Sequence, residues 1–196
     1  MTPPRQIRAH YDADTITVYQ AYDPAIAEPA LAAQTFVPPF KRERMTWIKP
    51  SFLWMMYRCG WAAKPGQTRV LAVSITRDGF EWALANSCLS KPAEGETADA
   101  WRKRMDASPV RIQWDPERDL HLNRLDHRSI QIGLSAEAVD RYTGQWITAI
   151  IDVTELAHQI ADHREADRTD QARQALPTEH PYPLVPDLAH HIGATA

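Results

Sequence analysis

The chain has 196 residues, and its 22 Lys and Arg against 25 Asp and Glu give a formal net charge of −3. This length is typical of one domain with its own core, and the lack of excess positive charge argues against a protein that coats nucleic acid. The N-terminus has no apolar signal segment and no apolar run approaches the roughly 20 residues that cross a bilayer, so we expect no membrane partner and a cytoplasmic protein.

Three strand–helix units are predicted in the first half of the chain. β-Branched and aromatic residues indicate the strands, while Asp23-Pro24, Ser51 and Gly60 are typical of helix ends. The strand and helix of each unit are Thr15–Tyr22 with Pro24–Ala33, Arg44–Lys49 with Phe52–Gly60, and Val70–Ile75 with Asp78–Asn86. The polar stretch 91–98 is predicted to be a loop.

Three more strands and a charged tail are predicted in the second half. The strands are Pro109–Trp114, Ser129–Leu134 and Gln145–Thr154, with a short helix capped by Ser135 between the last two. We therefore predict an α+β fold with a mixed central β-sheet and surrounding helices. A single domain, 1–155, is followed by a charged C-terminal helix, 156–176, and a proline-rich arm, 177–196, that is extended or disordered.

The segment RMTWIKPSFLWMMYRCGWA, residues 44–62, combines aromatic and methionine side chains with a few cations. Its helix is apolar on every side except at Arg58, which predicts a buried helix and a guanidinium in need of an anion. That anion is either the phosphate of a ligand or a carboxylate of the chain. The carboxylate candidates are Asp12, Asp115 and Glu117.

The same segment predicts an anion site just before that helix. Lys49 ends the strand, with its side chain expected to reach solvent, and Ser51 begins a helix whose free N–H groups attract anions. Trp47 shares a strand face with Lys49 and offers a ring on which a base can stack. The candidate residues for binding a phosphate-bearing cofactor are Arg44, Trp47, Lys49, Ser51 and Arg58.

The strand Thr15–Tyr22 carries polar-tipped residues at positions that a central strand buries. Gln20 and Tyr22 continue the face of Ile16 and Val18, and buried polar groups require partners. Tyr19, Gln20 and Tyr22 therefore either belong to a ligand site or have a structural role inside the protein.

Gln131 lies between two isoleucines, so it shares the opposite strand face with Ser129 and Gly133. A small polar face of this kind either lines a site or faces water on an edge strand. Gln131 is therefore a further candidate site residue.

Familiar nucleotide, metal and hydrolase motifs are missing from the sequence. It contains no GxGxxG, GxxxxGK[ST], HExxH or GxSxG, and Cys59 and Cys88 lack the spacing of a zinc site. We therefore predict no metal site and no Rossmann or P-loop chemistry.

Four blocks resemble a bacterial and fungal family of domains of unknown function over roughly residues 5–155. They are IRAHYDADTITVYQAY, RMTWIKPSFLWMMYRCGWA, VRIQWDPERDL and HRSIQIGLS. Blocks of this length are specific, but the family brings no activity with it.

The order of these blocks is also similar to the layout of ADP-ribosyltransferases. That resemblance implies an ADP-ribosyltransferase-like fold and NAD as the substrate. It places Tyr19 and Gln20 with the cations that bind NAD, and Tyr22 and Gln131 at the catalytic positions.

Two positions depart from the ADP-ribosyltransferase pattern. Gln20 stands where an Arg is expected, and Gln131 and Gly133 stand where a late-strand Glu orients the ribose and supports an oxocarbenium ion. Either another acid, such as Glu137 or Glu155, takes that role, or the chemistry differs.

Three functions follow as alternatives. The first is an ADP-ribosyltransferase-like enzyme that acts on a nucleic-acid or protein acceptor. The second is a nucleotide or nucleic-acid binding module without chemistry. The third is a structural or interaction protein in which Arg58 is paired internally.

Overall fold

The computed structural model describes residues 2–92 and 95–195, so the predicted loop 91–98 and arm 177–196 lie partly outside the described residues. The strands are β1 (Arg8–Ala9), β2 (Thr15–Tyr22), β3 (Thr46–Ile48), β4 (Arg69–Thr76), β5 (Ser87–Leu89), β6 (Val110–Arg118), β7 (Arg124–Leu134), β8 (Ile147–Asp152) and β9 (His180–Pro181). The helices are α1 (Pro24–Ala33), α2 (Phe52–Cys59), α3 (Arg77–Ala85), α4 (Ala98–Ala107), α5 (Glu137–Arg141), α6 (Thr154–Glu165), α7 (Thr169–Ala175) and α8 (Pro186–His191). A π-helical turn, Tyr142–Trp146, leads into β8. No helix in these two stretches is long and apolar enough to cross a membrane.

Strands β2 to β8 form two adjoining sheets. The first has the order β8-β4-β2 and is antiparallel. The second has the order β3-β7-β6-β5, with β5 parallel to β6 and the other pairs antiparallel. An antiparallel bridge joins the sheets, because Tyr19 and Lys49 exchange backbone hydrogen bonds of 2.7 and 3.3 Å. Mixed sheets with helices around them confirm the predicted α+β fold.

Two hydrophobic clusters lie on opposite faces of β2. Ile16 and Val18 belong to the larger cluster, while Tyr19 belongs to a smaller one with Phe52 of α2 and Ile160 of α6. Successive residues of a strand point to opposite faces, so the alternation in TITVYQAY assigns each residue to its cluster. Helices α2 and α6 therefore cover one face of the sheet at β2, and α2 also contacts the end of β6, where the Arg118 guanidinium lies 3.6 Å from the centroid of the Tyr57 ring.

Several elements differ from the sequence-based predictions. Strand β6 continues through Pro116, past the predicted end at Trp114, because a register shift beside Pro116 accommodates a residue without an N–H. The Ser135 hydroxyl donates to the Pro109 carbonyl at 2.9 Å and does not cap α5. Helix α4 has no buried residue and so lacks the apolar stripe by which a helix is predicted from sequence.

The C-terminal segment packs against the domain. The charged stretch 156–176 forms two helices, α6 and α7, because the backbone turns at Asp167 with a φ of 54°. Beyond them β9 pairs with β1, and Tyr182 and Ile192 are buried. The Trp114 indole N–H donates to the Ile192 carbonyl at 2.8 Å. The proline-rich arm therefore brings its own side chains to the edge of the sheet.

Candidate functional site

The chain passes from β3 into α2 through Lys49, Pro50 and Ser51. The Ser51 hydroxyl accepts the backbone N–H of Trp54 at 3.1 Å, which confirms the predicted N-cap. Gly60 ends the helix in the left-handed region with a φ of 60°, as its position predicted. The junction thus holds Lys49 against the sheet and directs the free N–H groups of α2 to one side of it.

One face of the second sheet is polar where β3, β7 and β6 lie side by side. Paired residues in neighbouring strands share a face, and the pairs are Trp47 with Gly133, Gln131 with Gln113, and Ser129 with Asp115. Lys49 follows Trp47 by two residues and therefore belongs to the same face. The structure brings together Trp47, Lys49 and Gln131, and it adds Asp115 and Gln113. We call this set the polar face.

The Trp47 indole crosses β7 at Gly133. A Cβ atom at Gly133 would lie 3.0 Å from the Trp47 ring and 2.7 Å from the Met45 sulfur, which is closer than side chains tolerate. A side chain at this position would therefore force the Met45 and Trp47 side chains to shift. The indole remains partly exposed beside Gln131.

Asp115 is held at the centre of the polar face by two amides. Gln113 donates to one carboxylate oxygen at 2.8 Å and Gln131 donates to the other at 2.7 Å. Gln131 therefore positions an acid, whereas the sequence predicted it as a catalytic group. Sequence reasoning named Asp115 only as a partner for Arg58, because nothing local shows that β6 and β7 bring it next to Gln131.

Lys49 is buried, with 6% of its surface exposed, so the expectation that its side chain reaches solvent is wrong. Its ammonium donates to the Trp47 carbonyl at 3.3 Å, and no carboxylate among the described residues lies within ion-pair distance of it. Burial, followed by the charge of Arg58, lowers the pKa of Lys49 to about 7, against smaller opposing effects of Cys59 and Asp115. A buried amine that titrates near neutral pH is typical of functional sites.

Arg58 is exposed, so the prediction of a buried guanidinium is wrong. Helix α2 buries Met55, Met56 and Cys59 and turns Arg58 outward, because its apolar side chains do not surround it completely. Arg58 forms no ion pair with any carboxylate in the described part of the chain. Its charge acts on Lys49 and is open to an anion from solvent.

Gln20 and Tyr22 lie on the other face of the sheet from Lys49. The Gln20 amide donates to the hydroxyls of Tyr22 and Thr46 at 2.8 and 2.7 Å, and its carbonyl accepts from Tyr142 at 2.6 Å. Burial raises the pKa of Tyr22 to about 12. The network satisfies its own polar groups, which favours the structural role of these residues.

Tyr19 pairs with Lys49 where the two sheets meet and shares its face, whereas Arg44 lies apart from it. The Tyr19 ring packs edge-on against Phe52 in the smaller cluster, and burial raises its pKa. Exposed Arg44 lines a different cavity, of about 250 Å³, together with Tyr22. Of the predicted site residues, Trp47, Lys49 and Gln131 therefore lie together, Tyr19 pairs with Lys49, and the charge of Arg58 acts on Lys49. Gln20, Tyr22 and Arg44 lie elsewhere.

The N-terminus of α2 opens to a second cavity, of about 210 Å³, that already holds a carboxylate of the chain. Glu179, from the C-terminal arm, accepts the Phe52 N–H at 2.7 Å, in the position where an anion was predicted. Glu117 lines the same cavity, and burial raises its pKa. Ser51 therefore caps a helix whose end already holds a carboxyl group of the chain, and sequence could not reveal this partner.

The acid at this helix end predicts a pH dependence of stability. Burial, with a further contribution from Glu117, raises the pKa of Glu179 from 4.5 to about 8. The folded protein then binds more protons than the unfolded chain between these values, so the free energy of unfolding falls as pH rises from 4.5 to 8. Glu179→Gln should reduce that fall and stabilise the protein at pH 8.5 by about 1–3 kcal/mol, as measured by urea unfolding. Parallel wild-type and variant profiles from pH 5 to 9 would contradict this assignment.

A larger cavity, of about 800 Å³, opens beside Asp115 and Gln113 toward the β5 edge of the sheet. Its volume lies within the range of ligand sites, about 300–1,000 Å³. Asp115 is therefore accessible from this cavity while its two oxygens remain held by the glutamines. Among the described residues, no group of three or more His, Cys, Asp or Glu is arranged to hold a metal ion.

Residues 6–182 match the model of a family described as a domain of unknown function, DUF4291. This confirms the resemblance seen in the sequence blocks and extends it into the C-terminal arm, as far as Tyr182 and past Glu179. The matched range includes the whole polar face. No curated protein matches the chain.

Proposed function

Because the chain belongs to the DUF4291 family, whose description names no activity, we propose a function from the polar face itself: ADP-ribosyltransferase-like transfer from NAD to an acceptor. The observation that carries this proposal is Asp115, a carboxylate held by Gln113 and Gln131 near buried Lys49, which has no ion-pair partner in the described part of the chain.

Lys49 and Arg58 support the binding of a pyrophosphate. A buried ammonium without a carboxylate partner is stabilised by any anion that reaches it, and the exposed Arg58 guanidinium offers a planar fork to the same anion. Trp47, on the same face as Lys49, presents a partly exposed ring for a base. NAD carries both groups, so one molecule satisfies the cations and the ring.

Asp115 supports the chemical step. In the transfer, the bond between the ribose C1′ and the nicotinamide nitrogen breaks, and nicotinamide leaves with the bonding electrons. The positive C1′ then takes an electron pair from the acceptor, which loses a proton. A carboxylate fixed near C1′ stabilises the developing positive charge. Asp115 thus replaces the acid that the late strand lacks, and the earlier candidates Glu137 and Glu155 are exposed on helices α5 and α6.

Nicotinamide release tests the proposed function. The purified chain is incubated with NAD alone and with RNA, DNA or protein, and free nicotinamide is quantified by mass spectrometry together with the thermal shift that NAD produces. We expect a thermal shift and release that an acceptor accelerates. If NAD produces no thermal shift and no nicotinamide is released, the proposal is wrong.

Binding without chemistry is the second candidate, and the geometry of Lys49 and Arg58 favours it because both cations act on an anion without any help from Asp115. It predicts a thermal shift with NAD or another phosphate ligand and no nicotinamide from any mixture. The same two measurements therefore separate the two functions.

The titration of Lys49 predicts the pH dependence of NAD binding. An anion favours the charged amine, so binding should raise the pKa of Lys49 above about 7 and take up protons near pH 7.5. The affinity should fall as pH rises from 6 to 8.5, by up to roughly tenfold for each unit above pH 7. Calorimetry in buffers of different ionisation enthalpy measures the proton uptake. Tight NAD binding without proton uptake would show that Lys49 does not contact the ligand.

A further inference from the structure

The cavity of about 800 Å³ beside Asp115 has a basic lining. Its basic side chains come from five separate parts of the chain: the N-terminus, the loop after β5, α4, β7 and the end of α8. They are Arg5, Lys91, Arg104, Arg128, His190 and His191. Asp115 is the acid that lines the cavity in the described part of the chain. We call this cavity the basic groove.

Three of these cations have no carboxylate partner within the described residues. Arg5 donates to the Gly193 carbonyl at 3.4 Å and Arg128 donates to the Trp114 carbonyl at 3.1 Å, while exposed Lys91 makes no ion pair. Arg104 differs, because its guanidinium is paired with Glu96 at 2.7 Å. The groove therefore keeps an excess of positive charge in a chain whose formal net charge is −3.

The order of the strands separates this groove from the proposed NAD contacts. Lys49 and Trp47 lie at β3, Asp115 lies on β6, and Lys91 follows β5 at the far edge of the same sheet, β3-β7-β6-β5. Along this strand order Asp115 thus lies between Lys49 and Lys91, while Arg128 of the basic groove lies on β7. NAD bound at β3 and an acceptor bound in the basic groove would meet at the Asp115 carboxylate.

We propose that the basic groove receives a single-stranded nucleic acid, which is the acceptor of the reaction. The inference rests on the proposed function for its chemistry, although binding to the groove is measurable without it. Unpaired cations along a groove are what a phosphate backbone requires, and a cavity of this size admits a few nucleotides of one strand and not a duplex. The strand's nucleophilic oxygen or nitrogen bonds to C1′ of the ribose and loses its proton as nicotinamide leaves.

Fluorescence anisotropy of the full chain with labelled single-stranded RNA and DNA 20-mers, beside a duplex of the same length, tests the groove. The variant is Lys91→Gln with Arg128→Gln, two exposed positions whose loss leaves the core intact. The charge-matched control is Arg168→Gln with Arg173→Gln, exposed residues at α7 outside the groove. We expect single strands to bind more tightly than the duplex. The groove variant should bind at least tenfold more weakly at 100 mM salt, with a salt slope smaller by about 1.4, or 0.7 for each lost phosphate contact.

The outcomes separate this inference from the proposed function. The inference about the groove is wrong if single strands do not bind. It is also wrong if the control variant weakens binding as much as the groove variant does, or if neither variant weakens it. The inference is also wrong if a protein acceptor accelerates nicotinamide release and single strands do not, although the proposed function then stands. Groove-dependent strand binding without any release leaves the groove as a binding site and removes the transfer. A single strand that gains one ADP-ribosyl group, and gains it more slowly with the groove variant, supports both.

Discussion

Asp115→Asn is expected to lower the rate of nicotinamide release from NAD by about 100- to 1,000-fold, the usual effect of removing one preorganised electrostatic group from a transition state. An amide keeps the shape of the side chain but carries no charge against the positive C1′. Gln113 and Gln131 each donate to one oxygen of Asp115 in the native protein, so one amide can continue to donate to the Asn oxygen while the other rotates to accept from the new NH₂ group. NAD binding should stay within a few-fold of the wild type, because Lys49 and Arg58 supply the pyrophosphate contacts.

Asp126→Asn is the matched control, because Asp126 is an exposed carboxylate on β7, the strand that carries Gln131. It should leave the rate of release unchanged. Single-turnover kinetics distinguish a slower chemical step from weaker binding. If Asp115→Asn releases nicotinamide as fast as wild type, the acid of the reaction lies elsewhere and the role given to Asp115 is wrong.

Lys49→Met is expected to stabilise the fold at pH 6 and to weaken NAD binding at least tenfold. The pKa of Lys49 falls from 10.5 in the unfolded chain to about 7 in the fold, so the unfolded state binds more protons between these values. The penalty of burying the ammonium is therefore complete below pH 7 and is relieved as pH rises toward 10.5. At about 1.4 kcal/mol per unit, methionine should gain roughly 2–4 kcal/mol at pH 6 and progressively less above pH 7.

Urea unfolding of wild type and Lys49→Met from pH 5.5 to 10 measures this difference, and calorimetry at pH 6 measures NAD binding. Lys103→Met, at an exposed position of α4, is the control and should change neither quantity. A methionine variant that is less stable than wild type at pH 6 would show that an internal anion already stabilises the ammonium. An unchanged NAD affinity would place the pyrophosphate away from β3.

Local structure around the site was predictable because it depends on neighbours a few residues away. The Ser51 cap is completed by the N–H of Trp54, three residues on, and Gly60 ends the same helix. Alternation in β2 likewise predicted that Gln20 and Tyr22 share the buried face of Ile16 and Val18. Such features need no knowledge of which strands pair.

Burial and exposure at the site were not predictable in the same way. The pattern of α2 placed Arg58 inside and β3 placed Lys49 at the surface, and the structure reverses both. A helix rich in apolar residues still turns one side outward, and which side depends on the orientation in which it packs. The end of a strand is likewise buried or exposed according to what covers it.

The sequence by itself determined the α+β class, the β3–α2 junction and the common face of Trp47 and Lys49, since periodicity and capping are short-range properties of the chain. Only the tertiary structure decided that Asp115 is the acid beside Gln131 and that Glu179 occupies the N-terminus of α2. Gln131 and Asp115 are 16 residues apart, and Glu179 and Phe52 are 127 residues apart, so their contacts depend on strand register and on the path of the C-terminal arm. Long-range contacts of this kind follow from burying apolar surface over the whole molecule, which no local pattern encodes.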